Sequence, residues 1–483
     1  MNNLSTLSIV AISLFSLTFT SGACAKQTLP TGYRIDTIAT PSDIPFHITG
    51  LDIDQSGKVA VATRLGDVWF YSNGQWAKFA DGLHEPTGLL IEADNTVVVG
   101  QKPELSRIVD TNNDGVADEY IKVADDWTFH DNYHEFNFAP VKDAEGNFFG
   151  TLNLGHGVKD ALSFGVMDSA GGYRGWAYKV TPSGEFVPYA SGLRSPAGVG
   201  LSPKGELFVT DNQGDWVASS KLHLIRKGEF YGHPVSLRDD PNYTVEQLRK
   251  ITPEELEPIR TKPNVWFPHK EISGSPGNPE WDTTEGKFGP FTGQIFVGDQ
   301  TLSNVFRVML EEVNGEYQGA AMNFIDGFQS GNIRVKFDPE GALWVGQTAR
   351  GWQSEGNKPF GLQKVVWDGT TPFELLTINL IPKGFDLSFT QKLDKNSIKA
   401  SDITVSSWRY RYHHNYGSPK VDLREEKVLS SELLSDQKLR INLFLEADRV
   451  YAINFPQISN QNGAKPSTTT LFYTLNSLKS AIE

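Results

Sequence analysis

Apolar and polar positions alternate along most of the chain in short runs punctuated by glycine, asparagine or aspartate. Six segments repeat one layout of apolar stretch, tight turn and second apolar stretch. They run from Gly50 to Val61 around Ser56-Gly57, Gly88 to Val99 around Asp94-Asn95, and Phe136 to Leu152 around Gly146. The others run from Gly198 to Thr210 around Gly205, Phe288 to Val297 around Gly293, and Ile333 to Val345 around Gly341. Such alternation bounded by turn formers predicts β-hairpins, and further strands are predicted at Asp67-Val-Trp-Phe-Tyr, Arg307-Val-Met-Leu and Lys364-Val-Val-Trp.

Hairpins spaced irregularly by several tens of residues fit a radial stack of blades joined by unequal loops. The expectation is an all-β chain: a six-bladed β-propeller over residues 29–370 with a small C-terminal β-sandwich over 371–483. Seven blades or a two-sheet sandwich are the alternatives. An insertion at about 231–286 carries two predicted helices, from Thr244 to Lys250 and from Thr252 to Pro258, the second with Thr252 as N-cap and Pro253 in its first turn. After residue 371 the blade turns stop, and alternating strands appear around Phe385, Ile403, Leu439 and Val450. Between them, the stretch from Trp408 to Tyr416 is unusually aromatic, with rings able to stack on a sugar or to pack on the propeller's flank.

A net charge of -14 with no basic run argues against a nucleic-acid partner. Residues 1–25 carry no charged side chain and end in Ala23-Cys24-Ala25, which reads as an export signal cleaved after Ala25, placing the protein in the periplasm or outside the cell. Lipidation of Cys24 is the alternative. Cys24 is the one cysteine, so cleavage would leave no thiol for a disulfide, a metal or a nucleophile. No later segment approaches the roughly 20 apolar residues of a transmembrane helix.

Asp110, Asn112, Asp114 and Asp118 place oxygens at alternating positions around Gly115, as a calcium loop does, although Ile121 stands where an EF-hand has glutamate. An Asx-rich turn capping its own backbone would look the same. His47, His84, His130, His134 and His156 flank the hairpins and could face one mouth, so a multi-histidine transition-metal site is conceivable. Asp211-Asn-Gln213-Gly-Asp215-Trp216 offers amide, carboxylate and ring after the fourth hairpin, and Arg64, Asp215 and Trp216 are candidate substrate contacts. His134 and Arg194 each precede a hairpin, and Arg334 stands at the sixth. If equivalent places in a radial repeat converge, one imidazole and two guanidiniums meet at one mouth.

The stretch from His134 to Gly157, and Gly192-Leu-Arg194-Ser-Pro-Ala-Gly198 through Gly232, resemble the soluble quinoprotein glucose and sorbosone dehydrogenases. The chain also resembles propeller modules called membrane-bound dehydrogenase-like. The resemblance implies a propeller that binds pyrroloquinoline quinone (PQQ) and calcium and passes electrons from a sugar to an acceptor. It implies His134 as general base, Arg194 and Arg334 as holders of oxyanion and quinone, and Gln213 against the quinone ring. Ser195 and Thr301 depart from it, standing where Asn and a quinone-binding Lys are expected. A metal-assisted lactonase or lyase, and a non-enzymatic carbohydrate- or heme-binding scaffold, are the other readings. Covalent c-type heme is excluded, since no Cys-x-x-Cys-His occurs.

Overall fold

The computed structural model describes residues 28–130, 132–158, 162, 165–351 and 353–480. The expected export signal and Cys24 lie outside the described residues. The fold is all-β, built on six successive antiparallel sheets, each with four strands from this part of the chain. The first comprises Ile48–Ile53, Val59–Thr63, Val68–Ser72 and Gln75–Ala80, and the second Gly88–Ala93, Thr96–Gly100, Leu105–Val109 and Glu119–Ala124. The third comprises Asn137–Lys142, Phe148–Leu152, Ala177–Val180 and Phe186–Ala190, and the fourth Gly198–Leu201, Leu207–Asp211, Ser220–Leu224 and Val265–Phe267. Pro276–Trp281, Ile295–Asp299, Asn304–Val313 and Glu316–Ile325 follow as the fifth. The sixth takes Asn332–Phe337, Leu343–Thr348 and Phe360–Trp367 from one end of the series and Tyr33–Ile38 from the other, pairing Tyr33 with Trp367 and Ile38 with Leu362.

Side chains tie each sheet to the next. Thr49 donates to Pro86 O at 2.6 Å, Thr87 to Asn137 O at 2.5 Å, Thr151 to Pro196 O at 2.8 Å, and Thr210 to Gly277 O at 2.7 Å. Asn278 donates to Val335 O at 2.9 Å, and His47 meets Thr348 Oγ1 at 3.0 Å, returning from the sixth sheet to the first. The first strands crowd at glycine: a Cβ on Gly88 would lie 2.1 Å from Ala139 O, and one on Gly277 2.3 Å from Ile333 O. Apolar layers fill the space between neighbouring sheets, as where Leu193, Val199 and Val209 pack with Phe136 and Phe149.

Two sequence expectations need correction. The fifth hairpin does not lie at Phe288 to Val297: the strand before Ile295–Asp299 is Pro276–Trp281, and residues 282–294 form its connection. Pro276, Gly277 and Pro279 hid that strand, because they suppress ordinary strand signals and here accompany a break in register. The insertion is also narrower, running between Leu224 and Val265. Its helices are single turns, Val245–Leu248 and Pro253–Leu256, each opened by a capping box from Thr244 or Thr252.

The last part of the chain extends the fifth sheet. Thr470–Leu475 pairs with Glu316–Ile325 and continues through Arg449–Asn454 and Thr404–Arg409 to Val421–Glu426, giving eight strands. A separate sheet of Leu375–Ile381, Gly384–Phe389, Lys438–Asn442 and Ser430–Ser435 shares an apolar core with it, including Phe385, Leu439, Tyr451 and Tyr473. Trp408 is fully buried, and Tyr410 packs on Trp266 with ring centroids 5.0 Å apart, so that end of the aromatic stretch is packing.

Candidate functional site

A cavity of about 340 Å³ opens where the residues leading into the first strands and those leaving the second strands gather. His134 precedes Asn137–Lys142, and Arg194 precedes Gly198–Leu201; both line it. Arg64, Asn153, Asn212 and Gln300 each follow the last residue of a second strand and line it too. Phe136, Phe138, Met167 and Ile333 make an apolar wall. Arg64, Arg194 and Arg350 are the guanidiniums of the lining, and no carboxylate is among its described residues.

Arg194 is held on three sides. Nε donates to Asp215 Oδ1 at 2.8 Å, one terminal nitrogen donates to Gln213 O at 3.2 Å, and the guanidinium lies 5.2 Å from the Tyr416 ring centre. A Cβ on Gly214 would fall 1.9 Å from its Cζ, so glycine is required for the guanidinium to lie flat on that backbone. Burial would raise the Asp215 carboxyl, but His233 and Arg194 outweigh it and hold it well below the usual carboxylate range. Asp215 also accepts from Met167 N at 3.1 Å and faces His233 Nε2 at 3.3 Å. Asp215 therefore anchors Arg194 from behind and does not line the cavity, contrary to its expected role as a substrate contact.

Trp216 is corrected likewise. Its ring packs with Leu162, Phe230 and Leu248, and with Tyr412 at 5.4 Å, away from the cavity lining. Gln213 lines the cavity, but its amide nitrogen already donates to Ala218 O at 3.2 Å.

Arg334 is not at the mouth. It is the third residue of Asn332–Phe337, whereas His134 stands three residues before its strand, an offset of about 16 Å of extended chain. Its guanidinium donates to Ala197 O at 3.0 Å, Ile333 O at 2.7 Å and Thr87 O at 2.5 Å, and lies 5.4 Å from the Phe138 ring centre. Burial lowers its pKa to about 10, with no carboxylate to oppose the shift. Arg334 instead lines a second cavity of about 210 Å³ that shares Thr87 and Phe138 with the first, so it forms part of the partition between them.

His134 stands in this lining. Burial lowers its pKa to about 4, helped by His156, Arg194, Arg64 and Lys102, so the imidazole is neutral at ordinary pH. Its Nδ1 is buried with no hydrogen-bond partner. Tyr133 meets the ring edge-on at 4.8 Å, and the His156 ring lies at 5.8 Å. Arg64 Nη2, Asn153 Oδ1 and Asn212 Oδ1 are also buried and unpartnered, and all four atoms belong to residues of the one lining. Unpaired buried polar atoms are costly, so their gathering in one lining makes this cavity the candidate site.

The calcium loop does not form an ion cage. Asp110 accepts from Asp114 N and Gly115 N, Asn112 from Asp114 N, Asp114 from Val116 N, and Asp118 from Thr111 N and Oγ1. The oxygens cap their own turn instead of converging. Among the described residues, no group of three or more His, Cys, Asp or Glu is placed to hold a metal ion. Of the five loop histidines, only His134 and His156 line the cavity. Thr301 lies behind Gly274, where a Cβ would come within 2.9 Å of its own, and supplies no charge.

A family model described as a domain of unknown function, DUF7133, matches residues 74–319. The chain belongs to the DUF7133 family. No curated protein matches this DUF7133 chain. Among solved structures, it is similar to a protein of Thermus thermophilus named, by assignment only, an oxidoreductase (glucose dehydrogenase). Identity is 19% over 69% of this chain and 100% of that one, with a TM-score of 0.51, which shows a shared β-propeller fold. Also similar are the PQQ-bound aldose sugar dehydrogenase of Streptomyces coelicolor, 14% identical over 70% and 99% of the two chains with a TM-score of 0.49, and the soluble aldose sugar dehydrogenase of Escherichia coli, 15% identical over 69% and 99% with 0.47. Among the described residues, no helix is long and apolar enough to cross a membrane.

Proposed function

We propose that this DUF7133 chain is an exported, quinone-dependent sugar dehydrogenase that oxidises a carbohydrate hydroxyl in the 340 Å³ cavity, with His134 as general base. The six sheets are then the blades of a six-bladed propeller over residues 29–370, and residues 371–483 form a β-sandwich domain. The observation that carries the reading is a neutral imidazole with an unpartnered nitrogen, set among three guanidiniums in a lining without described carboxylates. The resemblance of the His134 and Arg194 segments to quinoprotein dehydrogenases supports it.

The residues suit PQQ, a planar group with several carboxylates. Arg64, with Nη2 unpartnered, Arg194 and Arg350 would hold the anionic edges, since guanidinium forks match carboxylates. When bound, the quinone supplies two-electron oxidation of an alcohol carbon. His134 accepts the hydroxyl proton on its imidazole as that carbon is oxidised. Arg194, fixed by Asp215, stabilises negative charge on the reacting oxygen. Asn153 and Asn212 present carbonyl oxygens to sugar hydroxyls. Met167, Phe138 and Ile333 exclude water from one wall. No role is given to calcium or to Arg334 as a quinone ligand, and the donor set offers no oxyanions to a hard divalent ion, which argues against the metal-assisted reading.

The test is dye-coupled oxidation of a panel of aldoses by purified protein loaded with PQQ, beside quinone binding followed by absorbance. Quinone binding and turnover are expected, with turnover lost in His134→Ala. Failure of both quinone binding and turnover in the wild type would overturn the proposal.

A further inference from the structure

The far domain contributes to the cavity. The segment between Thr404–Arg409 and Val421–Glu426 reaches back to the fourth sheet, where Gly417 N donates to Gly214 O at 2.8 Å and Ser418 N to Ala218 O at 2.8 Å. Asp215 and Tyr416 form an isolated backbone bridge, the Tyr412 hydroxyl donates to Gly232 O, and Arg260 covers the Tyr412 ring at 4.6 Å. This places Tyr416 in the cavity lining with its ring over Arg194, yet 52% exposed. Tyr133 is the other strongly exposed tyrosine of the lining, at 46%, and Arg64 lies 4.9 Å from its centre. Tyr133 also edges the His134 ring and so belongs to the reacting end, whereas Tyr416 is set on Arg194 from a different part of the chain.

We propose that Tyr416 is the platform of a second saccharide subsite, so that the preferred substrate is an oligosaccharide or glycoside: one unit enters the cavity, and the next stacks on the Tyr416 ring. The inference rests on the carbohydrate reading of the cavity. A scattered exposed aromatic needs no explanation. Tyr416 differs because its backbone is bridged, its ring is steadied by a buried guanidinium, and it stands at a ligand-sized opening. A ring already held in place loses little freedom when the apolar face of a sugar settles on it. The cavity also lies near the low end of the range for small-ligand sites, about 300 to 1,000 Å³. A saccharide of several units must therefore run out over the rim.

The test is titration calorimetry with glucose and xylose against cellotetraose, maltotetraose and xylotetraose, on the full chain with and without PQQ. In the wild type, one tetrasaccharide is expected to bind about tenfold tighter than its monosaccharide. Tyr416→Ala should cut tetrasaccharide affinity about five- to tenfold and lower the oligosaccharide-to-monosaccharide ratio, while Tyr416→Phe restores it. Tyr416→Leu, which keeps bulk without a ring, should behave like the alanine variant and serves if that variant does not fold. An unchanged ratio in the ringless variant, or a wild type that binds monosaccharides as tightly, overturns the subsite and leaves the carbohydrate reading intact. A wild type that binds no saccharide overturns both.

Discussion

Replacing Asp215 by Asn tests whether Arg194 is fixed from behind. The carboxylate receives Arg194 Nε at 2.8 Å and Met167 N at 3.1 Å, and faces His233 Nε2 at 3.3 Å, all in buried residues. An amide of the same shape has one oxygen and turns a donor toward one of these groups. Unpairing a buried ion pair costs about 3–5 kcal/mol, and one retained bond puts this case near the lower end, about 3 kcal/mol. At about 2.1 cal/mol/K per residue, a chain of 483 residues has an unfolding entropy of roughly 1 kcal/mol/K. Calorimetry near pH 7 should therefore show a melting point about 3 °C lower, if the chain unfolds as one unit. Turnover should fall with it as the guanidinium loses its bearing. The pH dependence carries the sign. Asp215 has a folded pKa below its unfolded one, so its stabilisation is complete above about pH 4 and fades as pH falls toward the folded value. The gap between wild type and variant should narrow below about pH 4. A melting difference under about 1 °C at neutral pH, or a gap that widens in acid, would refute the anchor.

Four other outcomes are expected. The acid limb of kcat/KM should have its midpoint near 4, where His134 protonates, and a midpoint near the ordinary imidazole value of 6.5 would show that another group is the base. The same depression means that acidification from about 6.5 toward 4 favours the unfolded chain, because it takes up that proton first. Arg334→Met removes a charge that bonds three carbonyls, and about 2–4 kcal/mol of stability should go with it in denaturant titration; a neutral result would show that those carbonyls find other donors. Added calcium should leave the melting point unchanged in the wild type and in Asp114→Ala alike, because the loop's oxygens already accept backbone N–H groups; a rise confined to the wild type would restore the ion site.

Much of the fold was legible because period-two alternation and turn glycines are local. Five of the six predicted hairpins correspond to the first two strands of a sheet, and the fifth in chain order failed where Pro276 and Pro279 mask a strand. The pairing of Tyr33–Ile38 with Phe360–Trp367 has no local signature, since it depends on closure across the whole series. At the site, standing near a hairpin proved too coarse an address. His134 and Arg194 precede their strands and reach the cavity, while Arg334, two residues inside its strand, lines the second cavity instead. A sharper signal went unused: in four of the six sheets the residue just beyond the second strand, at 64, 153, 212 and 300, is polar and lines the cavity. Tyr416 could not be found this way, because only tertiary packing carries its segment to the opening.

The terminal strand that completes the sixth sheet has a consequence for biogenesis. Tyr33–Ile38 emerges from the ribosome long before its partner Phe360–Trp367. At about 5–20 residues per second, the interval is some 15 to 65 seconds, during which the early strand has exposed N–H and C=O groups and nothing native to join. Translocation in an unstructured form would remove that hazard, since both partners would then arrive on the far side within one collapse.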